Sequence, residues 1–232
     1  MLTKGNHTQT LRWRSMKHKQ ITADVFSSVS KHYDTFLNLI TFSRIKDWQR
    51  VMLKEIEGAK TLLDVGTGTG EVLLQADPQV LRVGIDLSLG MLKVAHKKCP
   101  NCGFVLADAE NMPFKTSSFD AITLSLVYRH LYSRDQLLKE AKRVLKPGGR
   151  LAILDINKFW LTPFLVFFMK FPIKPLGLIL FGREKWEFFI HSLENSLSEE
   201  ELTRELEPNG FKVIKTQKRL FGIVYIVSAQ KI

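Results

Sequence analysis

The chain has 232 residues, 45% of them hydrophobic and 25% charged, which suits one large α/β domain or one domain with a small appendage. Its 34 Lys and Arg against 23 Asp and Glu leave a net charge of +11, which favours anionic partners such as nucleic acid, a membrane surface or a phosphorylated substrate. Two cysteines, Cys99 and Cys102, are too few for a disulfide framework, and no second pair completes a zinc site, so no metal is expected. Their Cys-x-x-Cys spacing suits a redox pair or, in the favoured reading, a plain turn before a strand. The first apolar run is too short for a secretory signal, so a cytoplasmic chain is expected.

In chain order, residues 1–20 show no periodicity and read as a flexible basic arm. Val25, Val29, Tyr33 and Phe36 then recur at helical spacing, and Ile45, Trp48, Met52 and Ile56 mark a second helix that Gly58 ends. The period changes at Thr61–Val65, a short apolar run that stops at glycine as a buried parallel strand does. A short helix from Glu71 to Ala76 and a strand from Val80 to Asp86 follow. Ser88 caps a helix reaching Lys98, and Gly103–Ala107 and Phe119–Leu126 are further strands. Arg134–Leu145 is an amphipathic helix stopped by Lys146-Pro147-Gly148-Gly149, before a fifth strand at Arg150–Asp155. The alternation predicts a doubly wound, mostly parallel sheet. Phe159–Gly182 is strongly apolar, but prolines and lysines interrupt it, so it is not read as a membrane span. A helix over Glu184–Leu193, a capping box at Ser198 and Glu201, and two closing strands, Phe211–Thr216 and Phe221–Ala229, complete a seven-stranded sheet edged by a hairpin.

The core signal is a strand, then Gly66-Thr67-Gly68-Thr69-Gly70, then a helix. Glycines let the backbone turn sharply and a ligand approach closely, and open α/β sheets bind ligands at this strand end. Asp86 ends the second strand 20 residues after Gly66, where a carboxylate can accept both hydroxyls of a ribose. A dinucleotide fingerprint would place a third glycine where Glu71 stands, and a glutamate repels a pyrophosphate. Asp64 suits a ligand with a positive amino group. S-adenosylmethionine carries an ammonium and a sulfonium but no phosphate, so the acidic loop favours it. Asp108-Ala109 follows the third strand, where an acidic side chain can accept from an adenine amino group.

Val65-Gly66-Thr67-Gly68-Thr69-Gly70, Asp86, Asp108 to Pro113 and Leu145-Lys146-Pro147-Gly148-Gly149 resemble the successive motifs of class I methyltransferases. That resemblance implies a Rossmann-like fold with S-adenosylmethionine as cofactor. The segments Val25 to Asp34, Asn38-Leu39, Trp48-Gln49-Arg50 and Ala109 to Phe114 are similar to the ubiquinone/menaquinone biosynthesis C-methyltransferases. In that family the N-terminal segment caps the cofactor. The residues expected around the cofactor are Tyr33, Asp64, Gly66, Gly68, Thr69, Gly70, Asp86, Leu87, Asp108, Ala109 and Ser125. The chain then divides into a basic arm (1–20), a helical cap (21–58), a binding core (59–157), an apolar helical lid on the substrate side (158–208) and a closing hairpin (209–232).

The resemblance implies methylation at a ring carbon of a demethylated quinol or related prenylated phenol. Such a carbon needs its neighbouring hydroxyl deprotonated, by a general base or beside a cation that stabilises the phenolate. The family's Leu-Arg-Asn-Val stretch reads Tyr128-Arg129-His130-Leu131 here, which offers His130 as base and Arg129 as cation. Another small molecule or a lipid headgroup is the alternative acceptor, and a non-catalytic S-adenosylmethionine binder is the alternative class. Phe159–Gly182 is expected either to touch a membrane peripherally or to pack as a lid. No nucleic-acid partner is expected, because no Asn-Pro-Pro-Tyr-like motif or added binding domain is present.

Overall fold

Leu62, Leu63 and Val65 are almost wholly buried in β1 (Thr61–Val65), the middle of a sheet whose order is β3-β2-β1-β4-β5-β7-β6. The computed structural model describes residues 3–31, 33–160, 162–175, 178 and 182–232. Strands β2 (Leu81–Asp86), β3 (Gly103–Leu106), β4 (Phe119–Ser125) and β5 (Leu145–Ile156) pair in parallel around β1. Strand β7 (Val224–Lys231) runs antiparallel between β5 and the edge strand β6 (Phe211–Arg219). The closing hairpin therefore sits at the sheet edge as the alternating pattern requires.

Side chains alternate across the strands and divide the core in two. One face packs Leu63, Ile122 and Ile153 against Leu137, Leu138 and Ala141 of α6 (Arg134–Val144) and Leu202 and Leu206 of α9 (Glu199–Leu206). The other packs Leu62, Ala121 and Leu154 against Trp48 and Met52 of α3 (Ile45–Lys54) and Val72 and Leu73 of α4 (Glu71–Gln75). Each such leucine, isoleucine, valine or methionine side chain contributes about 1.5–3 kcal/mol by leaving water. The helix starts follow the sequence signals. Ser88 accepts from Met91 N at the start of α5 (Leu89–Lys98), and Ser198 and Glu201 form a reciprocal capping box on α9.

Three features depart from expectation. The arm expected over residues 1–20 is helical from Thr3, as part of α1 (Thr3–Val29). Its lysines, glutamines, arginines and leucine favour helix intrinsically, whereas periodicity reports only which face is buried. Strand β5 begins at Leu145 rather than Arg150, taking in Pro147-Gly148-Gly149; Gly148 adopts φ +71°, and pairing with β4 shifts register between Phe119 and Ala121. Cys99 and Cys102 are joined by a disulfide across the expected turn, which the Cys102 amide also closes by donating to the Cys99 carbonyl at 3.0 Å.

The apolar stretch forms α7 (Thr162–Lys170), and α8 (Arg183–Glu194) follows it; Leu161, Leu176, Gly177 and 179–181 lie outside the described residues. Trp186 Nε1 donates to the Met169 carbonyl at 3.3 Å and ties α8 to α7. No described helix is long and apolar enough to cross a membrane.

Candidate functional site

One cavity opens at the carboxyl ends of β1, β2 and β4. It is roofed by α1, α2 (Tyr33–Ile40) and α3. Of the residues expected from sequence, Tyr33, Asp64, Gly66, Gly68, Thr69, Asp86, Leu87, Ala109, Ser125 and His130 line it. Gly70, Asp108 and Arg129 do not. Phe26, Asn38 and Gln49, from the segments whose resemblance implies a cofactor cap, line it too; Leu126 also lines it and was not singled out.

The loop's conformation explains its glycines. Gly66, Gly68 and Gly70 have φ of +66°, +55° and +80°. A Cβ on Gly66 would lie 2.4 Å from Val127 Cγ2, and one on Gly70 3.1 Å from Ala95 Cβ. A Cβ on Gly68 would meet only the Gly66 carbonyl, at 4.0 Å, so bare backbone faces the cavity there. Gly70 thus shapes the turn against α5 rather than the cavity wall. Leu126, at the end of β4, also holds a left-handed φ of +62°, a strain often found beside binding sites.

Asp86 organises the loop. Its Oδ2 accepts from Gly68 N at 2.9 Å and its Oδ1 from Ser88 N at 2.8 Å. Burial pushes its carboxyl up, against the lowering effect of the Ser88, Gly68 and Leu87 amides. Each oxygen keeps a second lone pair, so the group can still accept two hydroxyls. Asp64 is 1% exposed, and burial pushes it up to about 7, although Thr123 Oγ1 donates to it at 2.7 Å. An arriving ammonium would draw it back to the charged form. The bare glycine backbone, the two-hydroxyl acceptor and this carboxylate together fit an adenosyl ligand with an amino-acid tail.

The charges around Glu71 are compensated. Lys98 Nζ binds Glu71 Oε1 at 2.6 Å and also pairs with Asp34, and Lys46 Nζ lies 3.0 Å from Glu71 Oε2. Repulsion of a pyrophosphate by Glu71 is therefore weaker than the bare sequence suggests. Thr69 Oγ1 donates to Asp34 Oδ1 at 2.5 Å, which fastens α2 onto the glycine loop. Helix α1 is fastened at the other end: Lys19 Nζ meets Asp108 Oδ2 at 2.7 Å and Glu110 Oε2 at 2.6 Å, and His18 Nε2 donates to the His130 carbonyl at 2.9 Å. Asp108, expected to take an adenine amino group, is thus already shared with a lysine.

The two residues expected to act on the acceptor sit differently from one another. The Arg129 guanidinium pairs with Asp155, and its Nε donates to Ser192 Oγ at 2.8 Å. The half-buried His130 ring stacks on Phe188 of α8 at 5.1 Å and meets the Phe26 ring edge-on at 5.4 Å. Burial first, then the Arg129 and His18 charges, hold its imidazole well below the ordinary histidine range. It is therefore neutral at neutral pH, and a weaker base than a free imidazole.

The folded state disfavours protonated His130, so its contribution to stability is full above the unfolded value near 6.5 and is lost as pH falls below that. His130→Gln is expected to remove about 1–2 kcal/mol of the stability lost between about pH 6.5 and 5, read by urea unfolding. Identical pH slopes for the two proteins would refute the assignment.

A seven-stranded sheet of this order, with a glycine loop closing on Asp86 under a helical roof, defines a class I S-adenosylmethionine-dependent methyltransferase. The model of the ubiE/COQ5 methyltransferase family matches residues 14–231, and the chain belongs to that family. It is 29% identical to the ubiquinone/menaquinone biosynthesis C-methyltransferase UbiE of Campylobacter jejuni, over 94% of this chain and 100% of the relative. It is 32% identical to UbiE of Rickettsia felis, over 93% and 94% of the two chains. It is 29% identical to the demethylmenaquinone methyltransferase of Thermotoga maritima, over 85% and 90%. Among solved structures, an S-adenosylmethionine-dependent methyltransferase of Aquifex aeolicus shares the fold at TM-score 0.60, with 23% identity over 82% of this chain and 93% of that one. Phosphoethanolamine N-methyltransferase 2 of Haemonchus contortus, solved with S-adenosylmethionine, shares it at 0.61, with 17% identity over 80% and 52%.

Proposed function

We propose that this enzyme methylates a ring carbon of a demethylated quinol, or a related phenol, that carries a lipid tail. The family and the names of its relatives support the reading. The observation that carries it is a cavity with two chemical ends: Asp86 and the bare glycine backbone, with Val127 against Gly66, at one, and His130 against the Phe26 ring at the other. The first end suits the cofactor and the second a flat apolar ring.

Bound S-adenosylmethionine supplies an electrophilic methyl group for in-line displacement, which leaves the protein to align the acceptor and take its proton. In this reading Asp86 holds the ribose hydroxyls, Asp64 faces the ammonium, and Thr69, Leu87, Ala109 and Ser125 complete the wall. A ring nitrogen of neutral His130 accepts the proton of the acceptor's hydroxyl. The depressed basicity of His130 makes that transfer uphill alone. Arg129, close enough to influence both His130 and Tyr33 electrostatically, is paired with Asp155, so its field stabilises the phenolate only in part. The Tyr33 phenol, pushed up to about 12 by burial, with Arg129 opposing, stays protonated and can donate to the same oxygen.

The test is product analysis. Purified enzyme, methyl-labelled S-adenosylmethionine and a short-tailed demethylated quinol, kept reduced, are expected to yield label on a ring carbon. An O-methyl ether, or a methylated lipid amine with no quinol product, would overturn the reading.

A further inference from the structure

Helix α7 presents its apolar stripe outward. Phe164, Phe167, Phe168 and Phe171 follow the three- and four-residue spacing of one helix face, yet they are 58%, 54%, 37% and 63% exposed. Trp160 just before them is 83% exposed, and Ile173 just after them 41%. Ring centroids lie 4.6 Å apart for Phe164 and Phe168 and 4.9 Å for Phe167 and Phe171, so the side chains form one continuous ridge. A contiguous aromatic surface of this kind marks an interaction site, unlike scattered exposed leucines.

The charge pattern identifies the partner. Residues 158–183 contain Lys158, Lys170, Lys174 and Arg183 and no Asp or Glu, in a chain of net charge +11. Lys158, Lys170 and Arg183 meet Glu201, Glu194 and Glu187 in pairs that are largely exposed and so easily exchanged for another anion. Aromatic rings flanked by cations match the boundary of an anionic bilayer, where rings enter the acyl region and ammonium groups lie among phosphates. We propose that α7 and its flanks anchor the enzyme to the surface of an anionic lipid membrane, with the phenylalanine ridge inserted. The benefit to catalysis rests on the lipid-tailed acceptor reading, but the anchoring does not. Helix α8 packs against α7 through Trp186 and carries Phe188 against His130, so one helix separates the anchored ridge from the cavity.

The experiment is co-sedimentation of the whole chain with vesicles of phosphatidylcholine, with and without phosphatidylglycerol, at low and high salt. Wild-type protein is expected to pellet with the anionic vesicles, less so in high salt. Phe164→Ser, Phe167→Ser and Phe171→Ser together are expected to lower partitioning at least about tenfold. Unchanged S-adenosylmethionine affinity in that variant, by calorimetry, shows that the loss is not misfolding. Lys174→Glu is expected to weaken only the preference for anionic vesicles. Absence of wild-type pelleting, or pelleting untouched by the triple substitution, overturns the proposal. A concentration-dependent dimer that the triple substitution abolishes, without vesicle binding, assigns the ridge to a second copy and also overturns it. The vesicles hold no acceptor, so a failed quinol assay and a failed sedimentation are separate results.

Discussion

Asp86→Ala is expected to weaken S-adenosylmethionine binding by about 2–4 kcal/mol, roughly 30- to 1,000-fold in Kd. The carboxylate has two functions in one place. Its oxygens hold the Gly68 and Ser88 amides at 2.9 and 2.8 Å, and the residue also lines the cavity proposed to take the ribose. Alanine removes the acceptor and releases the loop at once. Asp86→Asn keeps one acceptor oxygen and is expected to fall between wild type and alanine. Calorimetry reads both variants, and an alanine affinity within about twofold of wild type would show that the carboxylate does not face the ligand.

Asp155→Ala is expected to cost about 3–5 kcal/mol of stability, because it strands a cation inside the fold. Asp155 is 1% exposed and pairs with Arg129, whose side chain is 10% exposed. Asp155 Oδ1 also accepts from Ile156 N at 2.7 Å, so the carboxylate is fully engaged. Arg129→Met combined with Asp155→Leu removes both charges and is expected to recover most of the loss, since apolar pairs often replace buried ion pairs at little cost. Urea unfolding measures each step. A single-variant loss under about 1 kcal/mol would show that water reaches the pair.

The glycine-loop end of the cavity was legible because its signals are local. Gly66, Gly68 and Gly70 sit where the turn demands left-handed backbone, and Asp86 follows at a distance set by one helix and one strand. The strand and helix alternation gave the sheet for the same reason. The end at His130 was legible only as residues, His130 and Arg129, because its character comes from distant segments. His130 owes its depressed basicity to burial among Phe26 of α1 and Phe188 of α8, which no local pattern brings together. Arg129 reads as a free cation until Asp155 on the neighbouring strand claims it. Lys19 looked like one charge among many, yet it bridges Asp108 and Glu110. Only the end of α1, at Val25 and Val29, shows helical spacing; its first five turns escaped notice because they form by propensity, without the apolar stripe that a sequence pattern detects.

The bridge between Cys99 and Cys102 spans a turn that a backbone hydrogen bond of 3.0 Å already closes. A covalent link over so short a loop takes comparatively little freedom from the unfolded chain, because closure entropy grows with the length enclosed. Both sulfurs are buried, at 4% and 6% exposure, so opening the bond exposes little new surface. The junction between α5 and β3 is therefore expected to keep its shape whether the sulfurs are joined or apart, and the enzyme to hold its architecture in oxidising and reducing surroundings alike.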